Sequence, residues 1–277
     1  MREVIRRVRG TPTTDGGGVK LLRVMGTQQL PMLDPFLMLD EFRSDVPGDY
    51  IAGFPEHPHR GFETVTWMLA GRMRHGDNQG HSGVLGPGSV QWMTAGRGIV
   101  HSEMPEQENG LLWGFQLWVN LPARDKMTAP KYQEFAATEI PEVVRDGDVR
   151  VKVIAGSFDG VAGPVQQPAT QPLYLDVRLP AGASTSLDVP RGHSVFVYVY
   201  EGNALLGSGA QRETGRGVLA VLGDGDAVDI AAADGAARMI VVAGLPLREP
   251  VARYGPFVMN THDEIEEAIR DYNAGRL

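Results

Sequence analysis

What most restricts the fold of this chain is a plan that it uses twice. Glu63-Thr64-Val65-Thr66-Trp67-Met68-Leu69 is a β-branched and aromatic run closed by Ala70-Gly71, and Ser194 to Tyr200 is a run of the same kind closed by Glu201-Gly202. Further on, Leu85-Gly86-Pro87-Gly88 resembles Leu222-Gly223-Asp224-Gly225. Such runs suit pleated strands, and glycine supplies the turns that follow them. A repeated unit of this size is expected to be one β-barrel present in two copies. The 35 Gly and 19 Pro of the 277 residues fit many short strands joined by tight turns better than helices. The expected fold is therefore all-β, with two tandem jelly-roll barrels at residues 1–131 and 140–277. A linker is expected around Pro130 to Asp148, where charges, Pro130, Pro141 and Gly147 interrupt the strand pattern. The end of the chain differs in kind. Thr261 with Glu264 forms a capping box, and Ile265, Ala268, Ile269 and Tyr272 recur at helical spacing, which predicts a short closing α-helix over 261–273.

The copies differ in the residues that carry chemistry. The first contains Phe54-Pro55-Glu56-His57-Pro58-His59-Arg60-Gly61-Phe62-Glu63 and, later, His101-Ser102-Glu103. Side chains alternate on a strand, so His57 shares a face with His59, and His101 with Glu103. Two such pairs on facing strands aim three imidazoles and one carboxylate at one point. That donor set suits a first-row divalent metal, with Fe(II) expected and Mn, Ni, Cu, Co or Zn as substitutes. An isolated HxH is more often packed or solvated than ligating; it is the second pair that favours a metal. When the repeat is aligned on its turns, Asp188, Pro190, Arg238 and Ile240 fall opposite the four donors, so the second copy is expected to lack the site. His193 is expected to be structural or exposed there.

Other residues attach to this centre by position. Glu63 shares the His57/His59 face if the register holds, but Gly61 can host a bulge that breaks it, so Glu63 is placed behind the donors rather than among them. Phe54, Met73, Trp92, Met93 and Met104 suit a flat aromatic substrate, although for any one of them an ordinary core position is the more frequent reading. Arg60 either orients an anionic substrate or pairs with an acidic neighbour. Gln116, the polar member of the run Leu111 to Val119, either satisfies backbone groups or projects into the metal cavity. Thr94-Ala95-Gly96-Arg97-Gly98 is a bend that lets the backbone approach the site, and nothing of the GK[ST] type follows it to make a phosphate cradle.

Charge and composition exclude several classes. A formal net charge of -8 argues against general affinity for nucleic acid. Arg2, Arg6, Arg7 and Arg9 read as a solvated edge. The absence of cysteine excludes disulfide and thiolate–metal frameworks. No stretch is apolar over the roughly 20 residues that span a bilayer, and Met1 to Arg7 has no secretory apolar core. A cytoplasmic monomer that binds neither nucleic acid nor membrane is expected.

The motifs HPHRGFETVTWMLAG, QWMTAGRGIVHSEMP, FQLWVNLPA and LREPVARYGPFVMNT, in a two-barrel arrangement, resemble the pirin family of the cupin superfamily from about Asp34 to the closing helix. The resemblance implies a bicupin with one mononuclear Fe(II) site at His57, His59, His101 and Glu103. It departs from the general cupin pattern, in which the glutamate of the first motif is the ligand. Some pirins resemble quercetin 2,3-dioxygenases, which open the flavonol ring with O₂ and release carbon monoxide. Others resemble regulators that bind a protein partner according to the oxidation state of iron. The first activity implies a flavonol-like substrate and O₂, with Glu103 as the general base for the flavonol hydroxyl and Phe54, Arg60, Met73, Trp92, Met93 and Gln116 about the substrate.

Overall fold

The computed structural model of the chain describes residues 1–208 and 213–277. The strands of its first half are β1 (Val4–Arg9), β2 (Thr11–Asp15), β3 (Val19–Met25), β4 (Phe36–Ser44), β5 (Phe54–His59) and β6 (Phe62–Ala70). They are followed by β7 (Met73–Asp77), β8 (Ser82–Leu85), β9 (Val90–Thr94), β10 (Ile99–Pro105), β11 (Leu112–Asn120) and β12 (Lys131–Phe135). The fold is all-β with one C-terminal helix, α1 (His262–Asn273), and it divides into two compact units.

The unit that carries the His pairs comprises Pro12–Gly26, Phe36–Ala137 and Leu247–Leu277. Seven strands in the order β12-β9-β6-β11-β4-β3-β2 form its larger sheet, and β5-β10-β7-β8 form its smaller one. Leu21, Phe42, Met68 and Leu112 of the larger sheet share a buried core with Met73 and Leu85 of the smaller. The seam is apolar because alternate residues of each strand point inward. Helix α1 belongs to this unit. The Thr261 side chain accepts from the Glu264 amide at 3.3 Å, while the Glu264 carboxylate accepts from the Thr261 amide at 2.9 Å, which is the expected capping box. Ile265 and Ala268 are buried against Ala252, Phe257 and Met259, and Tyr272 keeps an exposed flank.

The other unit comprises Met1–Thr11, Thr27–Pro35 and Thr138–Pro246. Its larger sheet runs β1, Val218–Leu222, Ser194–Glu201, Ala237–Gly244, Leu173–Leu179, Val149–Ala155, Glu142–Arg145. Its smaller sheet runs Ser184–Asp188, Ala227–Ala232, Asn203–Leu206, Glu213–Gly215. The duplication is thus one of sheet topology: each unit pairs a seven-stranded sheet with a four-stranded one.

Three expectations about the chain's course differ from what is observed. The units are interleaved rather than divided at 131 and 140, since Met1–Thr11 clusters with the second copy and the closing segment with the first. The arginine-rich N-terminus is not a solvated edge throughout. β1 pairs with Val218–Leu222, and Arg2 is buried, donating to the carbonyls of Gly223 (2.7 Å) and Pro190 (2.8 Å). The expected linker does hold a boundary between the units, at Ala137/Thr138, but it is not free of strands, with Lys131 opposite Thr94 in β12 and Glu142 opposite Lys152 further on. Its charges sit on the outermost strands of the two larger sheets, where charge discourages further pairing and prolines flank the segments instead of breaking them.

Candidate metal centre

β5 and β10 pair antiparallel at the edge of the smaller sheet, with His57 opposite His101 and His59 opposite Ile99. The edge position explains how β5 carries Pro55 and Pro58, which cannot donate to a ladder on both sides. The imidazole centroids of His57, His59 and His101 lie 4.7, 4.5 and 4.9 Å apart, and one ring nitrogen from each falls within 4.8 Å of the other two. This is the one such cluster of His, Asp and Glu donors among the described residues.

The electrostatics suit a cation. The ring nitrogens of His59 and His101 are buried and none makes a hydrogen bond of good geometry, the Pro256 backbone alone acting on His59, so the one lone pair of each ring is costly to leave unmet. Burial first, and then the neighbouring imidazoles, hold the pKa values of His59 and His101 well below the usual histidine range, so both rings are neutral and their lone pairs free. His57 Nδ1 lies 2.8 Å from the Pro55 carbonyl oxygen. A carbonyl only accepts, so Nδ1 carries the proton and Nε2 is left as the donor atom. The three imidazoles can therefore hold a metal ion.

Glu103 does not fall within the 4.8 Å set. Alternation on β10 holds through Glu103, since the strand pairs with β7 in unbroken register, and the extra residue of the β5–β10 irregularity lies on β5. Glu103 is buried and accepts from Thr66 Oγ1 at 3.0 Å and from Gln116 Nε2 at 2.7 Å, while Gln116 Oε1 accepts from Trp118 Nε1 at 3.3 Å. Of the two readings of Gln116, projection toward the site is the one observed. Glu63 is buried, its carboxylate accepting from Thr94 Oγ1 at 2.6 Å, and the alternation that related it to His59 is broken. The break is at Gly61, where φ is +87° and a Cβ would meet the Val258 carbonyl oxygen at 2.0 Å. There the chain leaves the smaller sheet for the larger one, so alternation does not carry from His59 to Glu63.

A cavity of about 490 Å³ opens over His57 and His59. Of the residues expected about a substrate, Phe54 and Gln116 line it. Arg60, Met73, Trp92 and Met93 do not. Arg60 is buried and paired with Asp271 at 2.9 Å, the second of its two sequence readings. Met73 packs in the core between the sheets, Met93 lies with Ala95 and Ile99, and Trp92 is fully buried on β9. The residues that replace them, Arg23, Asp40, Trp118 and Arg253, come from β3, β4, β11 and the segment before α1. No local pattern marks any of these four; only the register of the larger sheet, with Arg23 opposite Asp40, brings them near each other.

In the other unit the equivalent positions are apolar. Leu187 opposes Val228 as His57 opposes His101, and Leu187, Val189, Val228 and Ile230 all belong to one buried core cluster. The turn-based alignment, which chose Asp188, Pro190, Arg238 and Ile240, is displaced by one residue on the first strand and by one strand on the second. Asp188 and Pro190 are exposed, and Arg238 and Ile240 lie in the larger sheet. His193 is buried, its Nε2 3.2 Å from the Gln171 carbonyl.

Comparison with known proteins agrees with this architecture. The Pirin family model matches residues 18–119, and that of the Pirin C-terminal cupin domain matches residues 174–277. A pirin-like protein of Caulobacter vibrioides is 52% identical over 278 residues, covering 100% of this chain and 99% of its own length. Human pirin is 45% identical over 274 residues, covering 98% and 92%. The crystal structure of quercetin 2,3-dioxygenase from Acinetobacter baumannii superposes with a TM-score of 0.92 at 34% identity, covering 100% of this chain and 98% of that one. With both family models matched in order on two β units, one of which holds the buried histidines, the chain belongs to the pirin family of bicupins.

Proposed function

We propose that the chain is a metal-dependent dioxygenase of flavonol-like compounds, with His57, His59, His101 and Glu103 as the metal-binding set and Fe(II) as the ion. The observation that carries this reading is the imidazole triad, in which the buried His59 and His101 have nitrogens without hydrogen bonds while His57 and His59 line a cavity of about 490 Å³. Likeness to the Acinetobacter baumannii quercetin 2,3-dioxygenase supports the choice of substrate class. When bound, the metal would supply a Lewis-acidic point that favours the ionised form of a flavonol hydroxyl and a place for O₂ to meet it.

The rest of the work falls to the chain. Phe54 and Trp118 present apolar surface to a flat ring system. His57 is held in one tautomer by the Pro55 carbonyl, which keeps its Nε2 toward the centre. Glu103 is the acceptor for the proton of the flavonol 3-hydroxyl. Thr66 and Gln116 each hold one of its oxygens, so the carboxylate is oriented before substrate arrives, and Trp118 in turn holds Gln116. The burial of His59, His101 and Glu103 keeps water from the reacting atoms.

The test is metal analysis of the purified protein, followed by a quercetin assay with carbon monoxide detection under air and under nitrogen. Metal-dependent loss of quercetin with release of CO only under air is expected, with both metal content and turnover abolished in His57→Ala/His59→Ala. Protein loaded with Fe(II), or in turn with Mn, Ni, Cu, Co or Zn, that leaves a flavonol panel untouched would overturn the proposal.

A further inference from the structure

The cavity wall that carries His57 and His59 also carries charge, from Arg23, Asp40 and Arg253, and Trp118 touches both the histidine and the arginine side. Its indole stands edge-on to His59, with ring centroids 5.3 Å apart, and carries the guanidinium of Arg253 at 4.9 Å from its centroid. Along this path the Arg253 guanidinium and the His59 ring are separated by no more than about 10 Å.

Two arginines line the cavity, and their situations differ. Arg23 donates to both oxygens of Asp40, at 2.9 and 2.7 Å, and to Asp15 at 2.7 Å, so its charge is answered within the wall. Arg253 is exposed, stacked on Trp118, and makes one long bond of 3.4 Å to the Leu37 carbonyl. The carboxylates nearest to it in effect, Asp40 and Asp15, are those already engaged by Arg23. A planar cation fixed on an aromatic face keeps its outward N–H groups directed and weakly hydrated, the state in which it binds an incoming anion best.

We propose that Arg253, held by Trp118, selects flat aromatic substrates that carry a second anionic group, a carboxylate or an ionised phenol, at the end remote from the oxygens that meet the metal. This deepens the dioxygenase reading and rests on it for the identity of the cavity as a substrate site. Arg253 is then a specificity-determining residue: it contacts the substrate far from the bonds that change and sets which substrates enter.

The experiment compares three probes by calorimetric titration of the metal-loaded protein under nitrogen: 3-hydroxyflavone, and its analogues carrying a carboxylate on the A ring or on the B ring. Wild type is expected to bind one carboxylated analogue about tenfold more tightly than the parent, the worth of one charge-assisted pair. In Arg253→Gln that ratio is expected to collapse toward one, with Arg253→Lys between the two. The ratio is the readout, so a general loss of affinity does not mimic it, and thermal melts confirm that each variant is folded. Under air, the same substitution is expected to raise KM for the carboxylated analogue more than it lowers kcat.

The two readings fail separately. A ratio unchanged in Arg253→Gln, or a wild type that prefers the parent to both acids, overturns the proposal even if quercetin is turned over. If no flavonol is turned over, the titration is repeated with 2-naphthoate against 2-naphthol. A preference for the acid that depends on Arg253 sustains the anion site while the dioxygenase reading falls, and the absence of that preference overturns both.

Discussion

Lys126 gives the prediction whose magnitude is best determined. Its side chain is 1% exposed, and its ammonium donates to the Gly61 carbonyl (2.7 Å), Asn120 Oδ1 (2.7 Å) and the Val258 carbonyl (2.9 Å), all neutral acceptors. Burial pulls its pKa from 10.5 down to about 8, against a smaller opposing pull from Glu249 and Glu264. A fall of that size corresponds to about 3 kcal/mol of free energy between the charged and neutral forms. The unfolded chain keeps the proton until about pH 10.5, whereas the folded protein releases it near pH 8. In that interval the unfolded state binds more protons, so folding stability contributed by this group rises with pH from about 8 to about 10.5 and is level on either side. Urea unfolding of wild type and Lys126→Met at pH 7, 8.5, 10 and 11 isolates the effect, because methionine keeps the stem and removes the titration. Wild type is expected to gain about 3 kcal/mol relative to the variant across the series. Stability profiles that run parallel would show that the ammonium is not desolvated and refute the reasoning. Gly61 lies two residues beyond His59, so the variant is also expected to retain metal roughly tenfold less tightly, measured by competition with a chelator.

Two further substitutions test the supports of the site. Gln116→Leu removes the donor to Glu103 Oε2 and is expected to lower quercetin turnover by about 100-fold at unchanged metal content; full activity would mean that the carboxylate needs no such orientation. Asp271→Asn strips the carboxylate from Arg60, whose side chain is 4% exposed, and is expected to cost about 2–4 kcal/mol in denaturant unfolding, with partial recovery in Asp271→Glu. A variant as stable as wild type would mean that the Arg97 carbonyl alone satisfies the buried guanidinium.

The parts of this protein that were legible in the sequence are those set by local rules. Strand alternation placed His57, His59 and His101 on one face, the capping box placed α1, and turn glycines exposed the duplication. What local rules could not reach was decided by which sheet a strand joins. Alternation runs out at Gly61, so it cannot relate Glu63 to His59, and although it holds along β10 it does not record that Thr66 and Gln116 hold Glu103. Met73, Trp92 and Met93 have the composition of a substrate pocket and of a core alike, and burial assigned them to the core. Arg23, Asp40, Trp118 and Arg253 converge from distant segments, which a linear pattern does not record.

The misaligned second copy carries the strongest argument about the first. A slip of one residue exchanges the faces of a strand, and aligning on turns rather than on inward apolar pairs set Asp188 and Pro190 where Leu187 and Val189 belong. Once corrected, the comparison becomes a control built into the chain. In the other unit, where the described residues form no donor cluster, the four inward positions are Leu187, Val189, Val228 and Ile230, which contribute hydrophobic stabilisation as any core would. In the unit that holds His57, His59, His101 and Glu103, the same positions include imidazoles whose buried nitrogens make no hydrogen bond of good geometry, at a cost on the order of 1–3 kcal/mol for each group so left. A bound cation offsets that cost directly. Adding Fe(II) or a substitute ion to metal-free protein is therefore expected to raise Tm through this unit, and His57→Leu/His59→Val/His101→Val, which copies the other unit, is expected to abolish that rise while leaving the metal-free protein at least as stable as wild type. A variant less stable than metal-free wild type would mean that the imidazoles are satisfied without an ion.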